Sequence, residues 1–160
     1  MELTIEVTTT QSDLYDYRLN RRYTSLQGIL ITMTGILIAG NAIIEENLVI
    51  SAIGFCLILF VPFIEFYILK KQLIQNSYRI KPVQYHMDEQ GIKCTYINKK
   101  TESVMWEQVV KAGSTRSIFF LECKDGKTII LPRREVMNYL GEVIGMISKN
   151  ISPEKVRIRL

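Results

Sequence analysis

The 160 residues carry 20 Lys and Arg against 16 Asp and Glu, a net charge of +4. The charges are unevenly spread: positions 24–69 hold only Glu45, Glu46 and Glu65, and the other 114 positions hold the remaining 33. That division excludes both a plain water-soluble globule and a disordered chain, and it predicts an apolar membrane anchor joined to a polar module.

Residues 2–8 alternate apolar and polar, with Leu3, Ile5 and Val7 on one side, as in a half-buried strand. Thr8, Thr9 and Thr10 supply a cap for a following helix, whose positive dipole end suits Asp13 and Asp16. Residues 1–23 are therefore expected to be a strand and a short helix, cytoplasmic, with the strand free to join an edge of a downstream sheet.

The anchor is expected over 24–69. Its first apolar run is Leu26–Ile44, of 19 residues, and its second covers 48–64, or 48–69 with Glu65 included. Crossing about 30 Å of hydrocarbon takes roughly 20 helical residues, and in lipid the backbone must bond within its own segment. Glu45, Glu46 and Asn47 make too short a linker for anything but an antiparallel hairpin. Arg18, Arg21 and Arg22 before it, and Lys70, Lys71 and Arg79 after it, place both termini in the cytoplasm. The expected address is a bacterial cell membrane, multi-pass. The run starts too late and follows acidic residues, so no secretory signal is expected, and neither end predicts a lipid anchor.

Positions equidistant from the turn sum to about 92, which brings Glu65 level with Gln27 and Ser51 with Asn41. Glu65 and Gln27 are a candidate intramembrane polar pair, and Glu65 a candidate for an ion path in a transport accessory component. Solvation of Glu65 at the headgroups beside Lys70 and Lys71 is the structural alternative. Gly28, Gly35, Gly40 and Gly54 permit close helix approach, and Pro62 predicts a modest kink.

Residues 70–150 form the expected cytoplasmic module, and 151–160 a tail. From 70 to the end the balance is 17 basic to 9 acidic residues, which suits an anionic inner leaflet. No nucleic acid is expected, because no recognition motif accompanies the charge. Strands are expected at Val83–Met87, 92–97, 102–106, 109–112, Ile118–Cys123 and 127–131, with a hairpin signal at Asp125-Gly126. Pro132 should end the last strand, and 133–149 should form one helix, with Gly141 and Gly145 making a bare face for a sheet. These six short strands suggest a sandwich or partly open barrel; with the N-terminal strand there are seven strands and a C-terminal helix, an α+β, mainly-β domain with the inventory of a pleckstrin-homology-like (PH-like) barrel. The tail alternates basic and apolar residues from Lys155 to Leu160, which suits an edge strand, a bilayer contact or a partner contact.

Tyr85 with Gly91-Ile92, then Trp106-Glu107-Gln108-Val109, then Leu131-Pro132-Arg133-Arg134, set in this organisation, resemble the YcxB-like family of bacterial membrane proteins. The resemblance covers nearly the whole chain. It implies a PH-like cytoplasmic domain and a membrane address, and it implies no reaction.

Chemistry is sparse. His86, the one histidine, shares a strand face with Asp88, the spacing of an acid–base pair, but a lone strand histidine is expected to be structural. Cys56, Cys94 and Cys123 lack metal-ligand spacing, so no metal or other cofactor is expected. Trp106 suits a core anchor or an exposed ligand platform. Arg133 and Arg134 stand where cations oppose a helix dipole, which marks a candidate anion- or lipid-binding corner. The expected protein is not an enzyme. It interacts or scaffolds at the inner membrane surface, through a protein partner or self-association. Anionic-lipid sensing by the basic module is the alternative.

Overall fold

A computed structural model describes residues 2–75, 82–97 and 100–158. Arg79, the Asn98-Lys99 connection and the terminal Arg159-Leu160 lie outside the described residues. The chain divides into two compact units, 1–17 with 76–160, and 18–75.

In the first unit, β1 (Leu3–Val7), β2 (Val83–Met87), β3 (Gly91–Tyr96) and β4 (Thr101–Met105) form one antiparallel sheet in that order. Leu3, Ile5 and Val7 are buried while Thr4 and Glu6 are exposed, as the alternation requires. The strands β5 (Val109–Ser114), β6 (Ile118–Cys123), β7 (Thr128–Pro132) and β8 (Val156–Arg157) form a second sheet in the order β7-β6-β5-β8. Against the expected sandwich or PH-like barrel, the strands form two open four-stranded sheets and not a closed barrel. One reason is that β5 spends its second edge on the tail: β8 runs parallel to it, pairing Ala112 with Val156 and Gly113 with Arg157.

One hydrophobic core joins the inner faces, with Ile92, Val104, Leu121 and Leu131 among its residues. Trp106, in a 3-10 turn between β4 and β5, is buried there and its indole Nε1 donates to the Asp88 carbonyl at 2.8 Å. It is a core anchor, not an exposed platform. Every residue from Ile118 to Leu121 is buried, so β6 is covered on both faces, which is why its sequence does not alternate. Gly126 (φ 77°) occupies the left-handed position of the turn between β6 and β7.

The expected single helix over 133–149 is interrupted. Pro132 still pairs with Ile118, and then α4 (Arg133–Val136), a 3-10 turn (Met137–Tyr139) and α5 (Leu140–Asn150) follow. Val136 (ψ 2°) and Tyr139 (ψ 12°) leave helical geometry. The break lets Val136 stay in the core while α5 buries Val143, Met146 and Ile147. A Cβ on Gly141 or Gly145 would meet nothing within 4 Å, so the bare face turns away from the sheets, contrary to expectation. The apolar side chains at i, i+3 and i+4 determine the buried face.

The helix α1 (Gln11–Tyr23) begins in the first unit and ends in the second, which also holds α2 (Leu26–Ile44) and α3 (Leu48–Gln75). Leu14 and Tyr17 on α1 are buried, and the Tyr17 ring packs edge-on against Phe120, with centroids 5.2 Å apart. Both α2 and α3 are long and apolar enough to cross a membrane.

Candidate functional site: an apolar hairpin and two ion clusters

In α2 the buried residues are Gly28, Gly35, Ala39 and Ala42, a stripe of small side chains at helical spacing. Gly54 of α3 lies against this stripe; a Cβ there would stand 2.5 Å from the Ala39 nitrogen and 2.8 Å from its Cα. A Cβ on Gly35 would stand 2.9 Å from Ile58 and 3.0 Å from the Gly54 carbonyl. Gly40 faces open space and takes no part. Gly28 serves a different end: it lets the first turn of α2 sit on the Arg22 carbonyl, beneath the Ser25 cap.

Most of the remaining hairpin surface is apolar and exposed. Leu26, Leu37, Ile44, Leu48, Val49, Phe63 and Tyr67 each expose more than 60% of their surface. Only 22% of each apolar window is buried within the molecule. A buried core pair of helices would show the reverse.

Glu65 is buried, but its partner is not Gln27. Its carboxylate accepts from Arg22 Nε at 2.8 Å, with Arg18 at 3.6 Å, and Arg18 also donates to Gln72. Gln27 is exposed, as is Asn41; each precedes a stripe residue, Gly28 or Ala42, and so points about 100° away from the helix contact. Ser51 donates instead to the Ala39 carbonyl at 3.5 Å. The signal for the Glu65 partners was the Arg18/Arg22 spacing of four, which places two guanidinium groups on one face of α1. Substituting Glu65 by alanine should loosen that end of α1 by about 1–2 kcal/mol, since the two arginines are partly solvated. Faster tryptic cleavage after Arg21 and Arg22 in the variant is the expected readout.

The second cluster holds Arg134. Its guanidinium donates to both carboxylate oxygens of Asp13, at 2.9 and 2.8 Å, and to the Thr8 carbonyl at 3.0 Å. Asp13 is 3% exposed. It also accepts from the Thr10 backbone N–H and hydroxyl at 2.7 Å each, closing the cap of α1 that the sequence predicted. Burial opposes ionisation of Asp13, but the bonds from Arg134 and Thr10 outweigh it and hold the carboxyl below the ordinary aspartate range. Arg134 is thus already spent on an internal carboxylate. The Arg133 guanidinium lies over the Phe119 ring, 4.5 Å from its centroid, and the Arg133 backbone N–H donates to the Ser117 carbonyl at 2.8 Å. The two arginines therefore have different partners and do not converge on a shared anion. The sequence reading missed Asp13 as the partner, because 121 residues separate it from Arg134.

The other candidate groups have structural partners. His86 Nδ1 lies 2.8 Å from the Thr4 hydroxyl. Asp88 accepts from the Gly91 and Gln90 N–H groups, which lower its pKa. Burial pushes the Cys94 thiol up to about 12 and raises that of Cys123, which suppresses thiolate chemistry at both. Among the described residues, no three His, Cys, Asp or Glu side chains are placed to hold a metal ion. No protein-family model matches the chain, and no curated protein matches it in sequence.

Proposed function

We propose that the chain is a two-pass membrane protein with both termini in the cytoplasm, and that its β-rich unit is a non-catalytic interaction or scaffolding module there. The observation that carries the reading is the apolar surface of α2 and α3, which water would penalise at about 25 cal/mol per Å² and lipid would not. The rise of α2 supports it: 19 residues span about 28 Å, the thickness of the hydrocarbon. Basic residues flank the hairpin, and its loop carries Glu45 and Glu46. Four antiparallel strands, then three, then a helix over one core support reading the module as PH-like, in keeping with the YcxB-like resemblance. An interaction role is supported by the way His86, Asp88, Cys94 and Cys123 are engaged or buried.

Two measurements test this. An impermeant maleimide applied to intact cells should label a cysteine placed at Glu46, and should not label one placed after Ser152. The opposite pattern, or protein left in solution after membranes are sedimented, overturns the membrane reading. Crosslinking in native membranes should recover a protein partner or a second copy; recovery of neither overturns the interaction role.

A further inference from the structure

We propose that the outward face of α3 at its inner end binds an anionic phospholipid, with Tyr67, Lys70 and Lys71 holding the phosphate and Leu59 and Phe63 lying along an acyl chain. This rests on the membrane reading above. Positions 59, 63, 67, 70 and 71 follow at intervals of four, four, three and one, so they form one stripe along the helix. All five are exposed, Phe63 at 74% and Tyr67 at 68%. The stripe is graded along its length: apolar, then aromatic with a hydroxyl, then two ammonium groups. A phospholipid has the same order of chemistry, from acyl chain through glycerol to phosphate.

Depth agrees with that match. From Leu48 to Tyr67 is 20 residues, or about 30 Å of helix, which brings Tyr67 to the edge of the hydrocarbon. Lys70 and Lys71 follow about one turn later, at phosphate level. Charge selects the headgroup. Glu65 is the one acid of α3, and it lies two residues from Phe63 and Tyr67, on the side that meets Arg22 and Arg18. The lipid-facing side therefore has two positive charges and no internal acid from its own helix. A zwitterionic headgroup would bring its own cation against the two lysines, whereas phosphatidylglycerol brings only negative charge.

The test uses the full chain in mild detergent. Phosphatidylglycerol and phosphatidylcholine with identical acyl chains are added in equal amounts, and bound lipid is read by native mass spectrometry. We expect about tenfold more phosphatidylglycerol bound, from two lysines near the phosphate. The Lys70→Gln/Lys71→Gln variant should fall to under about twofold, while Lys124→Gln/Lys155→Gln, with the same net charge, keeps the preference. Equal binding of the two lipids, or a preference that survives Lys70→Gln/Lys71→Gln, overturns the proposal. Displacement by millimolar glycerol phosphate overturns it too, since a free phosphate would then suffice. A chain that sediments with membranes yet shows no preference sinks this inference alone; one that stays in solution sinks it together with the membrane reading.

Discussion

Replacing Arg134 by alanine is expected to destabilise the β-rich unit by about 3 kcal/mol, more than replacing its partner. The asymmetry follows from burial. Asp13 is 3% exposed, whereas the Arg134 side chain is 47% exposed. Removing Arg134 strands a buried carboxylate, but Asp13→Asn leaves a guanidinium that water can solvate, and should cost about 1–2 kcal/mol. Trp106, the one tryptophan and buried in this unit, reports unfolding by its fluorescence as denaturant is added to the full chain. Equal losses in the two variants would refute the asymmetry.

Acid should reveal the same pair. In the native protein the Asp13 carboxyl titrates below its unfolded value. Its stabilisation is therefore complete above about pH 4 and is lost as pH falls through the lower folded value. In Arg134→Ala the two lowering contributions of the guanidinium go while burial and the Thr10 bonds stay, so the folded value rises towards the unfolded one. The variant should therefore lose less stability than the native protein as pH falls below about 4, because a smaller downward shift leaves less to lose.

The second large effect is expected at Gly54. Even a methyl group there would meet the backbone of Ala39, which a side-chain rotation cannot relieve. Gly54→Leu should therefore force α2 and α3 apart by several ångströms. The Ser51 bond to the Ala39 carbonyl would go with it, for a total loss of about 2–4 kcal/mol. Gly40→Leu is the control, because a Cβ at Gly40 meets nothing within 4 Å. Spin labels at the exposed positions Leu37 and Phe55, in a Cys56→Ser background, should report a longer distance in Gly54→Leu and an unchanged one in Gly40→Leu. An unchanged distance in both would mean that the small-residue stripe does not set the helix spacing.

Four glycines looked alike in the sequence, and tertiary contacts separated them. Gly35 and Gly54 let the helices touch, Gly28 accommodates the Arg22 carbonyl, and Gly40 has no neighbour. The distinction depends on rotational phase about the helix axis, and a run of Ile and Leu on every side leaves that phase unmarked. Gln27 and Asn41 were expected at the helix contact, and both are exposed, for the same reason. Glu65 was recognisable as the one acid in an apolar helix. Its partners lie on another helix, so only their spacing of four hinted at a shared target.

Element type and position were legible where local physics dominates. The two apolar helices, the strand alternation of β1, the Thr10–Asp13 cap and the Asp125-Gly126 turn all follow from interactions within a few residues. Strand partnership was legible only in part: the β6–β7 hairpin and edge places for β1 and the tail were open to reading, but the division into two sheets was not, because backbone hydrogen bonds carry no residue identity. The tail strand β8 took the edge of β5, and the strands formed two open sheets and not a closed barrel. The arginine corner depended on folding still more: Asp13 and Arg134 are 121 residues apart, and their charges meet only when α1 and α4 have been brought together. Short-range sterics and hydrophobic spacing are written along the chain, whereas long-range pairing of charges is decided by which surfaces the core brings together.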